Sequence, residues 1–216
     1  MPPPLAVIEA KRKKVLESAT RMFLEVGYGD MTIDKLTEEV GGSKAYIFKN
    51  FGGKQELFEA VVKAACEDIL KPLDCEKADE HDVAAGLAKI ATQFLKVSLS
   101  PHSIALQRVV IAERLRFPHL GELFMEVGPE QSYQRVAHYM ERQQARGALA
   151  EGDPHELAVE FLALVNGGLL QRMIIGGYPL PSAAALSRRV VMAVKLFLSG
   201  AGREPPRSKA AAATRK

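Results

Sequence analysis

The chain has 216 residues, 47% of them hydrophobic and 25% charged, with a formal net charge of +3; this is an ordinary globular composition, long enough for one large domain or two small ones. Such a mild positive balance permits a nucleic-acid partner without demanding one, because affinity depends on where the charges sit. Two cysteines, Cys66 and Cys75, make no disulfide framework and suit a reducing cytoplasm; no apolar run approaches the ~18 residues of a membrane span, and the start Met1-Pro2-Pro3-Pro4 lacks the apolar core of a signal peptide.

Residues 1–8 are expected to form a disordered arm, since three prolines oppose a helix there. A helix is predicted from Glu9 to Val26. Val15, Ala19, Met22, Phe23 and Val26 recur at spacings of three and four and so share one face. Lys11, Arg12, Lys13 and Lys14 crowd its start, either as a solvated basic end or as phosphate contacts. The stretch from Met31 to Phe51 then reads as two short helices across a tight turn. Thr32 caps the first, whose apolar face is Ile33, Leu36 and Val40. Gly41-Gly42 breaks it, and Ser43 caps the second, whose apolar residues are Ala45, Ile47, Phe48 and Phe51. This is a helix-turn-helix with a second helix sized for the major groove. Its exposed candidates are Lys44 for a guanine edge or a phosphate, Tyr46 for a phosphate or a thymine methyl, Asn50 for a base edge or a phosphate, and Lys49.

These residues resemble the TetR-type transcriptional regulators. The family pattern appears here as Phe23-Leu24-Glu25-Val26-Gly27-Tyr28, Met31-Thr32-Ile33, Ser43 to Phe51, and Gly53-Lys54-Gln55-Glu56-Leu57. The resemblance implies a helix-turn-helix DNA-binding domain over residues 9–53. Thr32, Ser43, Lys44, Ala45, Tyr46, Phe48, Lys49 and Asn50 would face DNA, and Lys54 would contact a phosphate. Two departures matter. Phe48 stands where the family usually has tyrosine, and Ala45-Tyr46 where it often has Gly-Thr, so the operator is not transferable from a relative.

A further helix is predicted over Lys54 to Leu70, ended by Lys71-Pro72. The acidic stretch Asp74, Glu76, Asp79, Glu80, with His81 and Asp82, reads as a solvated loop before a helix rather than a metal site. Helices follow near 82–98, 101–115, 119–147 with a break at Gly128-Pro129, 154–175 and 182–199. Pro101, Pro118, Pro154 and Pro181 lie near their starts. No segment keeps a period of two, so the fold is expected to be all-α, with a second helical region over 54–200. Gly167-Gly168 interrupts a helical pattern at about 1 kcal/mol per glycine, which indicates a close approach or a kink if it is not drift. Residues 201–216 read as a disordered basic tail.

Arg108-Val109-Val110-Ile111-Ala112-Glu113 and Arg116-Phe117-Pro118-His119-Leu120, with Asp153-Pro154 and Phe161-Leu162, resemble the C-terminal domain of the AefR-like subgroup of TetR regulators. That resemblance implies a ligand-sensing and dimerisation domain. Pocket candidates among the mixed residues are Phe94, Gln107, Arg108, Arg114, Phe117, Phe124, Tyr133 and Asn166. The last two helices are apolar on more than one face, as expected where a two-helix face meets its own copy; Phe161, Val165, Leu169, Val190, Val194 and Phe197 are the candidate interface.

No phosphate-binding Gly-rich loop, HExxH, CxxC or nucleophile elbow is present in the sequence, and the five histidines share no ligand spacing. No enzyme activity, metal or cofactor is expected. The sequence therefore reads as a cytoplasmic, homodimeric, DNA-binding repressor, released from a double-stranded pseudo-palindromic operator by a small, largely apolar ligand, with no membrane partner. The alternatives are a ligand-independent regulator under a protein partner, and a helical ligand-binding or enzymatic module that has lost specific DNA binding.

Overall fold

The computed structural model describes residues 5–201, all in helices and connecting turns and loops, with no β-strand among them. The order is α1 Leu5–Asp30, α2 Ile33–Val40, α3 Lys44–Phe51, α4 Lys54–Leu70, α5 Val83–Ser98, α6 Pro101–Glu113, α7 Pro118–Val127, α8 Pro129–Ala145, α9 Pro154–Asn166, α10 Leu169–Ile174 and α11 Ala183–Ala201. Residues 1–4 of the expected arm and 202–216 of the expected tail lie outside the described residues. The remainder of the arm is corrected: α1 starts at Leu5, and Leu5 to Ile8 are helical. The same helix kinks at Gly27 (φ 81°, ψ 169°), a conformation glycine takes without a Cβ penalty.

The expected single helix over 154–175 is two. Gly167 and Gly168 both have positive φ, 50° and 79°, so they end α9 and start α10 rather than pass through a helix. Asn166 holds the break by accepting the Leu170 amide on its side-chain oxygen at 3.0 Å.

Two compact units form, and their boundaries do not fall at Lys54 as expected. The first comprises residues up to Leu73, with Gln93–Ser132 and Asn166–Pro181. Its core joins Phe23, Met31, Leu36 and Ile47 of the N-terminal helices to Leu57, Phe58 and Val61 of α4 and to Leu106, Val109 and Leu120 further on. The reason lies in α4: Leu57, Phe58, Val61, Val62, Ala65 and Cys66 are all buried. A helix apolar around so much of its surface needs cover on more than one side.

The second unit comprises Asp74–Thr92, Tyr133–Val165 and the chain from Ser182. Phe161 and Phe197 meet edge to face with centroids 5.0 Å apart, and Val165, Val190 and Val194 are buried beside them in the chain's own interior. Five of the six expected dimer-interface residues are thereby corrected: Phe161, Val165, Val190, Val194 and Phe197 are 0–7% exposed within one subunit. Leu169 is half-buried on α10, in the other unit. The large apolar side chains that α11 leaves exposed are Val191, Met192 and Leu196. Arg189 closes the C-terminal end of α9 by donating to the Leu164 and Val165 carbonyls.

The acidic loop is a set of turns anchored to α8. Asp79 accepts the amides of His81 and Asp82 at 2.8 and 3.0 Å, which holds its carboxyl below the usual range. Arg142 pairs with Glu80 and donates to the Cys75 carbonyl, and Arg146 reaches Glu80 and His81. Cys75 is buried in this loop, and Cys66 is buried in α4. Burial pushes the Cys75 thiol up to about 11 and that of Cys66 up to about 12. Thiolate forms only above those values, so a thiol reagent at neutral pH is expected to leave both cysteines unmodified in the folded protein and to react with both in denaturant. Rapid reaction of either folded thiol would contradict this.

Candidate nucleic-acid interface and ligand cleft

The helix-turn-helix is built from local capping. The Thr32 hydroxyl oxygen accepts the Lys35 amide at 3.3 Å and starts α2. Gly41 ends it in the left-handed region at φ 68°, and its amide and that of Gly42 both bond to the Thr37 carbonyl. Ser43 then accepts the Tyr46 amide at 3.2 Å and starts α3. Both capping residues are exposed, and neither hydroxyl donates to another group among the described residues. Ile47 and Phe51 fasten α3 to the core.

The basic start of α1 is mostly engaged within the domain. The Arg12 guanidinium lies 4.6 Å from the Phe51 ring centroid and donates to the Asn50 carbonyl at 3.2 Å; Lys14 donates to the Val40 carbonyl at 3.1 Å. Each cation thus meets the negative end of a helix, where it is favoured. Lys11 sits over the Tyr46 ring at 4.2 Å, and Lys13 makes an exposed pair with Glu17 at 3.8 Å.

Three expected DNA-facing residues are engaged within the chain. The Tyr46 hydroxyl is buried, without a hydrogen-bond partner, so it does not point at a phosphate. Asn50 donates its side-chain amide to the Tyr46 carbonyl at 2.8 Å and is half-buried. Lys54 donates to the Gly29 carbonyl at 3.0 Å and lies 4.6 Å from the Tyr28 ring centroid; burial holds its pKa below the usual lysine value. Lys54 is a clamp on the end of α1. Lys44 is exposed and paired with Asp34 at 2.5 Å, a surface pair of little worth. Ala45, Phe48 and Lys49 face solvent, and Phe48 is 53% exposed rather than an apolar anchor of α3.

A cleft of about 680 Å³ lies between α6 and α7, within the size range of small-molecule sites. Gln107, Val110 and Ile111 line it from α6, Arg114 and Leu115 from just beyond that helix, and Pro118, Gly121, Glu122, Phe124 and Met125 from α7. Three expected pocket residues belong to it: Gln107, Arg114 and Phe124. The others do not. Arg108 donates to the Met173 and Ile174 carbonyls, Asn166 caps α10, Tyr133 packs against His155, and Phe117 packs on Tyr28 with centroids 4.6 Å apart. Phe94 is half-buried away from the cleft lining. The residues missed were legible as a pattern: both helices, with Arg114 at the α6 C-cap, contribute positions i, i+3, i+4 and i+7, one face each.

The cleft helices and the helix-turn-helix meet at Gly29. Its amide donates to the Glu113 carboxylate at 3.2 Å, at the end of α6, and its carbonyl accepts from Lys54, at the start of α4. Tyr28, next to it, packs edge to face on Phe117 and on Phe58.

The family model for the AefR-like transcriptional repressor C-terminal domain matches residues 85–200, more than half of the chain, and the model for bacterial regulatory proteins of the tetR family matches residues 15–61. The chain belongs to the TetR family. The HTH-type transcriptional repressor Rv1474c of Mycobacterium tuberculosis is 27% identical to it over 83% of this chain and 90% of its own length. The repressor AcnR of Corynebacterium diphtheriae is 26% identical over 79% of this chain and 84% of its own. Among solved structures, the flavonoid-responsive regulator FrrA is 30% identical, with a TM-score of 0.81 over 93% of this chain and all of FrrA. A TetR-family regulator from Mesorhizobium loti shares the fold at a TM-score of 0.82, covering 90% of this chain and 98% of its own. These relatives are transcriptional regulators and not enzymes, and this TetR-family chain is a transcriptional repressor of the helix-turn-helix class. No helix among its described residues is long and apolar enough to cross a membrane.

Proposed function

We propose that this TetR-family repressor binds a pseudo-palindromic operator as a homodimer and is released by a small, largely apolar ligand in the α6–α7 cleft. Each recognition helix α3 enters a major groove, with half-sites about 34–36 Å apart or a multiple of that. The exposed side chains Val191, Met192 and Leu196 of α11 supply an apolar stripe for the second copy. Lys44 and Lys49, with the free hydroxyls of Thr32 and Ser43, contact the backbone.

The observation that supports the release is the double engagement of Gly29, whose amide donates to Glu113 and whose carbonyl accepts from Lys54. Ligand in the cleft bears on α6 and α7. Glu113 and Phe117, at the ends of those helices, hold the end of α1 against α4. A ligand that favours one arrangement of α6 and α7 therefore biases the positions of α1 and α4, provided that it binds the two arrangements with different affinity. The cleft offers apolar walls with Gln107, Arg114 and Glu122 as polar groups. A flat aromatic molecule bearing hydroxyl groups fits that chemistry, in keeping with the flavonoid-responsive relative.

The test is selection of bound duplexes from a random library at two salt concentrations, followed by release with hydroxylated aromatics. A palindrome that survives the higher salt is expected. Sequence-blind, salt-sensitive binding alone would remove the repressor reading of the interface. Against the selected operator, Lys49→Ala is expected to weaken binding evenly across sequence variants and to lower the salt slope by about one per subunit. An unchanged slope would remove Lys49 from the phosphate contacts.

A further inference from the structure

Successive residues of an α-helix lie about 100° apart around its axis, so Lys44, Phe48, Ala45 and Lys49 occupy one arc of about 140°, in that order. The opposite side holds the buried Ile47 and Phe51 and the half-buried Tyr46 and Asn50. The solvent face of α3 is therefore two lysines flanking an apolar centre. Phe48 leaves 53% of its surface in water, and Ala45 is exposed beside it. The ring edge lies next to Gly53, where an added Cβ would stand 3.8 Å from Cε1. The groups that would otherwise read base edges by paired hydrogen bonds are occupied: the Asn50 amide is bonded to the Tyr46 carbonyl, and the Tyr46 hydroxyl is buried.

In the major groove, base edges present donors, acceptors and a single kind of apolar group, the C5-methyl of thymine. A lysine-flanked apolar centre on a recognition helix matches that group. We propose that Ala45 and Phe48 read thymine methyl groups, so that operator recognition depends on the methyls as well as on backbone contacts. This rests on the DNA-binding reading above and names what the reading face selects. The phenylalanine at position 48 has no hydroxyl to place on a phosphate, which leaves the ring for the groove floor.

The experiment uses the full chain and the operator obtained by library selection. Each thymine of the half-site is replaced in turn by deoxyuridine, which keeps every hydrogen-bonding group and removes only the methyl. Binding is measured with wild type and with Phe48→Ala. For wild type, deoxyuridine at one or two positions is expected to weaken binding about fourfold per methyl, the ratio that burial of one such group corresponds to. With Phe48→Ala the penalty is expected to vanish at the thymine that Phe48 reads and to persist at any that Ala45 reads, while Phe48→Tyr, which keeps the ring, retains the discrimination at both. Deoxyuridine tolerated at every thymine overturns the proposal, and the wild-type arm alone delivers that result. Penalties of unchanged size at every such thymine in Phe48→Ala also overturn it, by taking the reading away from Phe48. If no operator is enriched at all, the DNA-binding reading fails first, and the methyl proposal falls with it.

Discussion

Phe58→Ala is expected to lower the unfolding free energy by about 3–5 kcal/mol, the usual cost of emptying a fully buried aromatic site. Phe58 is 0% exposed; its ring meets Phe23 at 4.7 Å and Tyr28 at 5.1 Å, both edge to face. Such pairs add roughly 0.5–1.5 kcal/mol each beyond the area they bury. Tyr28 in turn packs on Phe117, so the cavity opens in the seam joining α1, α4 and the start of α7. A loss of this size is a large share of the ~5–15 kcal/mol that holds a typical domain. Thermal denaturation is expected to show a midpoint lower by about 10 °C or more. Phe48→Ala is the control: an exposed phenylalanine of the same domain, whose loss should shift stability by no more than about 0.5 kcal/mol. The two substitutions separate the roles, with Phe58 serving the fold and Phe48 the DNA. A Phe58→Ala midpoint within the range of the control would refute the packing argument.

Gly86→Ala is expected to be nearly as damaging, for the opposite reason. Gly86 is buried in the first half of α5, and a Cβ there would lie 2.0 Å from the Tyr139 hydroxyl and 2.5 Å from the Asp79 carbonyl oxygen. Those two atoms are themselves hydrogen-bonded at 2.8 Å. Alanine must therefore displace α5 or break that bond. Overpacking costs about 1–3 kcal/mol, and leaving a buried hydroxyl and carbonyl unpaired costs a further ~1–3 kcal/mol. Tyr139→Phe alone is expected to cost about 1 kcal/mol, the net worth of one hydrogen bond. In the double variant the phenyl ring removes the closest collision, so the combined loss should be smaller than the sum of the two single losses. Strict additivity in denaturant titrations would show that Gly86 and Tyr139 do not meet.

Much of the architecture follows from local chemistry. The prolines at 101, 118, 129 and 154 each open a helix, and Gly41, Gly52 and Gly128 each follow a helix end. Thr32 and Ser43 cap the two helices that the sequence pattern assigns to them. These features act over one turn of backbone, so neighbouring residues alone determine them, and the helix-turn-helix and the all-α class follow.

Which partner covers each helix face is a different matter. Periodicity places Phe161, Val165, Val190, Val194 and Phe197 on apolar faces, but a face buried inside one subunit and a face buried against a second copy have the same period. The tertiary packing assigns those residues to the subunit core and leaves Val191, Met192 and Leu196 outside. The cations follow the same logic. A lysine or arginine side chain is long enough to reach a phosphate or to fold back onto a nearby carbonyl, and sequence distance does not say which carbonyls are near. Arg12, Lys14 and Lys54 find the carbonyls of Asn50, Val40 and Gly29, across 38, 26 and 25 residues of chain. Lys49 finds none among the described residues and stays free. The sequence by itself determined the helices, their caps and the family pattern, because those depend on residues within a turn of each other. Only the tertiary structure decided the composition of the DNA-reading face and the walls of the cleft, because both depend on which distant groups compete for the same side chains.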